Sequence, residues 1–157
     1  MSIVKALRFP VQARWFGGRL LRLGAPEKPV LRIATPPEFK DGIRGIWSPE
    51  ELLVGSLAAC YELTLVAIAE RLDVPLHTLE VSAIGHLEQV PKGGHGFTVV
   101  ELDVDLATDP GRELDAEDVA RRAKEHCIVG RALEVPVHLR RLEVRAASFA
   151  DVEAAVA

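Results

Sequence analysis

The sequence predicts an α+β fold in one domain spanning residues 1–157, and three observations carry that expectation. One run, "SPEELLVGSLAACYELTLVAIAERL", opens with a helix start signal and is apolar on almost every side. Two stretches, "TLEVSAIGHLEQV" and "FTVVELDVDLAT", alternate apolar and polar residues with the period of a half-buried strand. Strand and helix patterns do not alternate regularly along the chain, and no repeat, low-complexity tract or linker divides it.

Taken in order, "VQARWFGGRLLRL" and "PVLRIAT" read as short strands, separated by Gly17–Gly18 and by "GAPEKP", so hairpins are expected. "TPPEFKDGIRGIW" is rich in Pro and Gly and has no periodicity, which makes it a loop leading to the helix. Ser48 and Glu51, three residues apart, form a capping box, and Pro49 suits the first helical position, where a missing N–H costs nothing. Leu79, Val81, Ala83, Gly85 and Leu87 fall on one face of the next strand. Val100, Leu102, Val104 and Leu106 do so on the one after, the two joined antiparallel through "PKGGHG". "DAEDVARRAKEH" reads as a helix with Asp115 as N-cap and Val119, Ala120 and Ala123 inward; "VPVHLRRLEVRA" returns to a strand.

Composition excludes several functions. The net charge is −4 with both signs dispersed, and no basic block interleaved with aromatics is present to follow a phosphate backbone, so nucleic acid is not an expected partner. Cys60 and Cys127 are the only cysteines, too few for a disulfide framework, and "MSIVKALRFPVQARWF" lacks signal-peptide shape, which points to the cytoplasm. Residues 52–69 approach the length of a membrane span. Glu62, Ser56 and Thr64 argue against one, since a mid-membrane carboxylate costs roughly 2.5 to 3.5 kcal/mol. A helix apolar on most faces instead calls for a homodimer to cover it. His77, His86, His95, His126 and His138 have no paired-ligand spacing, and no Gly-rich nucleotide loop is present, so neither a metal nor a cofactor is expected.

Cys60 admits two readings. Free cysteine is usually a small buried hydrophobe, and burial alone keeps a thiol protonated. A reactive Cys60, about three turns inside its helix, lies beyond the field of the helix N-terminus and requires a nearby Arg or Lys. Glu50 has likewise a plain role near a helix start and a possible functional one.

"SPEELLVGSLAAC", followed by "AKEHCIVGRAL", resembles the two cysteine motifs of the OsmC/Ohr family, the osmotically inducible and organic hydroperoxide resistance proteins. The order of elements matches over nearly the whole chain. The resemblance implies an OsmC-like fold, antiparallel β-sheets around long central cysteine-bearing helices, assembled as an intertwined homodimer with two interfacial sites. It implies a thiol-dependent peroxidase that reduces organic hydroperoxides and is restored by an external dithiol, lipoyl-type or small. Carried over by position, Cys60 is the peroxidatic thiolate, Cys127 the resolving thiol, and Glu50 the carboxylate that orients a catalytic arginine. "FGGRLLRL" resembles the Ohr branch and nominates Arg19; "DGIRG" offers Arg44 in the OsmC position. Two departures stand out. The second motif reads "CIVG" where the family usually has Cys-Pro-Val-Ser, and "YEL" places Glu62 just after Cys60, either close to the thiolate or paired with a base such as Arg122. The alternative is a non-enzymatic OsmC-like dimer that binds a hydrophobic small molecule between subunits.

Overall fold

The computed structural model describes residues 6–91 and 93–154. The chain forms two compact units, one ending at Leu52 and the other beginning at Leu53.

The amino-terminal unit is a three-stranded antiparallel meander, β1 (Gln12–Gly17), β2 (Leu20–Gly24) and β3 (Leu31–Ala34), in that spatial order. The tight β1–β2 connection needs positive φ at Gly17 and Gly18, and the Trp15 indole N–H donates to the Gly18 carbonyl at 3.0 Å. The Pro-rich segment that follows folds back on itself: the Ile43 N–H reaches the Thr35 carbonyl, and Trp47 bridges to Ile33. Gly42 is required there, because a Cβ would lie 2.0 Å from the Pro36 carbonyl oxygen. The loop ends at the capping box read in the sequence. The Ser48 N–H donates to Glu51 Oε2 at 2.8 Å and the Glu51 N–H to Ser48 Oγ at 3.1 Å, so two donors at the start of helix α1 (Pro49–Arg71) are satisfied reciprocally.

In the carboxy-terminal unit the strands β4 (Thr78–Gln89), β5 (His95–Thr108) and β6 (Val137–Ala146) form one sheet with β5 at its centre. β4 and β5 are antiparallel in the register their alternation demands, with Leu79 opposite Leu106, Val81 opposite Val104, Ala83 opposite Leu102 and Gly85 opposite Val100. β6 joins the other edge parallel to β5, a pairing that needs a crossover. Helices α2 (Glu113–His126) and α3 (Ile128–Ala132) supply it. A last helix, α4 (Phe149–Ala154), is tied back by Arg145 pairing with Asp151 at 2.7 Å.

One core unites these elements: Leu57, Tyr61, Leu65 and Ile68 from α1, Val100, Leu102, Val104 and Leu106 from β5, and Ala116, Val119, Ala120 and Ala123 from α2. Among the described helices α1 is the one long and apolar enough to cross a bilayer, yet here a single stripe of it is buried in this core.

Two local expectations are corrected. Asp115 is not the N-cap of α2: the helix starts at Glu113 with Arg112 as its cap residue. The Arg112 carbonyl accepts the first intrahelical bond, while the Asp115 carboxylate sits in the first turn and accepts from Arg112 Nε at 2.6 Å. Arg122 does not serve Glu62, because it pairs with Asp118, one turn back on its own helix, at 2.6 Å.

Candidate active site

The helix α1 periodicity that buries Leu57, Tyr61 and Leu65 leaves Cys60 half-buried at the margin of the core stripe. Cys127 arrives from the opposite direction in sequence. Helix α2 ends there, its backbone turning extended at φ −61° and ψ 114°, and α3 begins with the next residue. Cys127 is therefore the C-cap of one helix and the N-cap of the next. Its N–H still donates to the Ala123 carbonyl at 2.9 Å, and its Sγ accepts the Gly130 N–H at 3.3 Å.

This junction brings the two sulfurs together. Burial pushes the Cys60 thiol up, but it is outweighed by the backbone N–H of Val129, the Cys127 side chain, the backbone N–H of Ile128 and the Thr64 hydroxyl. The net direction for Cys60 is down. Cys127 moves the other way: burial raises it, the Gly130 N–H works against that, and the nearby Cys60 sulfur raises it again both as hydrogen-bond acceptor and as charge. The pair therefore favours a Cys60 thiolate with the Cys127 S–H donating to it.

Tyr61, the next residue on α1, is wholly buried and donates its hydroxyl to the Ala120 carbonyl at 2.9 Å, fastening α1 to α2 one residue from the thiol. Burial raises its pKa far beyond the ordinary phenol range, so this hydroxyl remains a donor. Gly130 is held to a small residue, since a Cβ there would lie 3.3 Å from Leu57 Cδ1 and 3.5 Å from Cys127 Sγ.

The remaining residues nominated by the sequence divide as follows. Glu50 stands in the first turn of α1 with its Oε2 enclosed and without a hydrogen-bond partner. Arg19 ends the β1–β2 turn, its carbonyl accepting the Thr35 N–H at 3.2 Å, and Arg44 lies in the loop before α1; both side chains are exposed. These three belong to the amino-terminal unit. Glu62 is half-buried and, among the described residues, makes no ion pair. No described group of three His, Cys, Asp or Glu is arranged to hold a metal ion.

Sequence reasoning did not find the hydrogen-bond donors that lower Cys60. It demanded a cation, whereas the donors found beside Cys60 are backbone N–H groups of residues 128 and 129 together with two neighbouring side chains. No residue type announces a backbone N–H. Those amides belong to helix α3, which begins directly after Cys127 and whose Gly130 N–H donates to Cys127 Sγ at 3.3 Å.

Comparison with known proteins places this architecture. Residues 41–140 match the family model described as OsmC-like protein. YmaD of Bacillus subtilis, an uncharacterized protein, is 28% identical over 138 residues, covering 84% of this chain and 90% of its own. An OsmC-like protein of unknown function from Vibrio cholerae superposes with a TM-score of 0.78 at 17% identity, covering 87% of this chain and 100% of that one. An organic hydroperoxide resistance protein OsmC from Legionella pneumophila gives 0.71 at 23% identity, covering 92% and 100%. The organic hydroperoxide resistance protein OhrB of Bacillus subtilis gives 0.66 at 22%, covering 88% and 98%. With a family match over residues 41–140 and a fold shared with these structures over 87% to 92% of its length, the chain belongs to the OsmC-like family.

Proposed function

We propose that the protein is a cysteine-based peroxidase that reduces organic hydroperoxides in defence against oxidative stress, with Cys60 as the peroxidatic and Cys127 as the resolving residue. One observation carries the reading: two thiols in contact whose pKa values are driven apart, Cys60 down and Cys127 up. Hydroperoxide resistance is also what two of the structural relatives are named for.

The Cys60 thiolate attacks one peroxide oxygen, the O–O bond breaks, and the alcohol leaves after taking a proton. Cys60 is then a sulfenic acid. Loss of its negative charge removes the charge that helps to hold the Cys127 thiol up, so Cys127 ionises more readily after the first step than before it. The Cys127 thiolate attacks the Cys60 sulfur, hydroxide leaves as water, and a Cys60–Cys127 disulfide forms. An external dithiol restores both thiols. Arg19 supplies the guanidinium that holds the peroxide oxygens, and Glu50, whose enclosed Oε2 lacks a partner, is the acceptor that orients it. In this reading the protein works as a cytoplasmic homodimer.

The test is stopped-flow oxidation with cumene hydroperoxide, followed by mass mapping. Cys60→Ser should abolish turnover. Cys127→Ser should complete one stoichiometric oxidation and stop at the sulfenic acid, trapped with dimedone. Equal loss of the first oxidation in both variants would reject the assignment and favour a dimer that binds an apolar ligand without chemistry.

A further inference from the structure

A cavity of about 630 Å³ opens on the side of Cys127. Its inner wall is apolar: Leu57, Tyr61 and Leu102 are fully buried, Cys127 lies among them, and half-buried Val137 and Leu139 continue the wall outward. The rim has the opposite character. Arg121, Lys124, Arg131 and His138 stand around it against the single carboxylate of Glu125. Arg121 is already satisfied by Glu117 at 2.6 Å. Among the described residues, Lys124 and Arg131 have no carboxylate partner, although this unit holds eighteen acidic side chains against ten basic ones.

We infer that this cavity is the docking site of the reductant, and that it takes a thiol bearing a carboxylate on a short apolar stem. The inference rests on the peroxidase reading and names the partner of its last step. Lys124 and Arg131 receive the carboxylate, the stem lies along Val137 and Leu139, and the ligand's sulfur meets Cys127 at the bottom.

The chemistry agrees with that placement. The ligand thiolate attacks Cys127 Sγ; the Cys60–Cys127 bond breaks and Cys60 leaves with the electron pair as thiolate, while a mixed disulfide forms between ligand and Cys127. A second ligand thiol, from the same dithiol or another molecule, then attacks the ligand sulfur. Cys127 leaves and takes a proton, and the ligand departs as its disulfide. Two electrons pass from two ligand thiols to the two cysteines. Attack on Cys127 expels the better leaving group, because Cys60 is the more acidic of the two thiols.

The experiment separates charge from thiol chemistry. The intrachain disulfide is formed with diamide, and its reduction is timed with dihydrolipoate, which carries a carboxylate, and with neutral dihydrolipoamide, which has the same dithiol. Dihydrolipoate should be faster by about tenfold at low ionic strength, the advantage shrinking with salt. In the Lys124→Gln/Arg131→Gln double variant the ratio of the two rates should fall to near one; the dihydrolipoamide rate in that variant reports whether the fold is intact. Trapping with 3-mercaptopropionate and alkylation should map the mixed disulfide to Cys127. Equal rates in the wild type, a preference that survives the double substitution, or a mixed disulfide on Cys60 would each overturn the inference. Using diamide keeps the two readings apart. Absent peroxide turnover with the charge preference intact counts against the peroxidase alone, whereas failure of diamide to form the disulfide counts against the docking site as well.

Discussion

Hydrogen-bond donors beside Cys60 draw its thiol down against burial, and each donor predicts a shift that can be read. The rate of the first oxidation should follow the Cys60 thiolate, rising with pH through a midpoint below the ordinary thiol range and flattening above it. Cys127→Ala deletes one donor and should move that midpoint upward, whereas Cys127→Ser keeps a hydroxyl in place and should move it less. Equal midpoints in all three proteins would mean the backbone N–H groups suffice. Arginine makes a separate prediction. Arg19→Ala should slow the first oxidation on the order of a hundredfold, the loss expected when one donor to a developing oxyanion is removed. Because the donors that lower Cys60 remain in place, raising the pH should not recover this loss; recovery at high pH would show that Arg19 also lowers the thiol. Arg44→Ala should do little, and Glu50→Gln should fall between. A crippling Arg44→Ala would move the role to the loop before α1. At this scale the sequence made the two thiols legible, because a cysteine announces itself by residue type wherever the fold then places it. It hid the amides of residues 128 and 129, which any sequence possesses, and it hid Tyr61, whose anchoring bond to Ala120 joins residues 59 positions apart.

Elements with strong periodicity were legible and short ones were not. The faces read from β4 and β5 are the faces that pair, because a slip of one residue would turn Leu79, Val81 and Ala83 away from the core. The capping box of α1 was legible because its two hydrogen bonds depend on side chains at fixed spacing. Helices α3 and α4, of five and six residues, complete too few turns to show a 3.6-residue pattern. The parallel partnership of β6 was hidden as well, since alternation states a strand's faces and not its direction. Gly85 shows where element packing leaves no choice. A Cβ there would lie 2.6 Å from both Val54 Cγ2 on α1 and Phe97 Cε1 on β5, so helix and sheet meet over a missing side chain. Gly85→Ala should destabilise the protein by about 1 to 3 kcal/mol through overpacking, read as a lower urea midpoint at unchanged m-value. An unchanged midpoint would mean that Val54 and Phe97 swing aside freely.

For the whole molecule, α1 carries more apolar surface than its own core covers. Its buried residues, Leu57, Tyr61, Leu65, Ile68 and Ala69, follow one stripe, yet the helix is apolar well beyond that stripe. Leu63 is 71% exposed and Leu53 36%, with Ala59 exposed between them and Ala67 exposed one turn beyond. A contiguous apolar face on a long helix is an interface signature rather than an ordinary surface, and small residues between the leucines let a second helix approach closely. A second copy of the chain offers the same face, and a two-fold axis lets each copy cover the other. We therefore expect a homodimer at micromolar concentration by sedimentation. Leu63→Glu places a charge at the most exposed leucine of α1 and should shift the equilibrium toward monomer by at least an order of magnitude in Kd, given a penalty of several kcal/mol for an unpaired buried charge. The distant change Glu134→Gln should leave it alone. Salt distinguishes this contact from one made by the oppositely charged units, which hold nine basic against five acidic side chains up to Leu52 and ten against eighteen beyond. An apolar interface keeps its affinity as ionic strength rises, whereas an electrostatic one weakens steeply. A dimer that survives Leu63→Glu but dissolves in 0.5 M salt, roughly the range where screening cuts in within a few ångström, would assign the interface to the charged units and leave α1 facing something other than its twin.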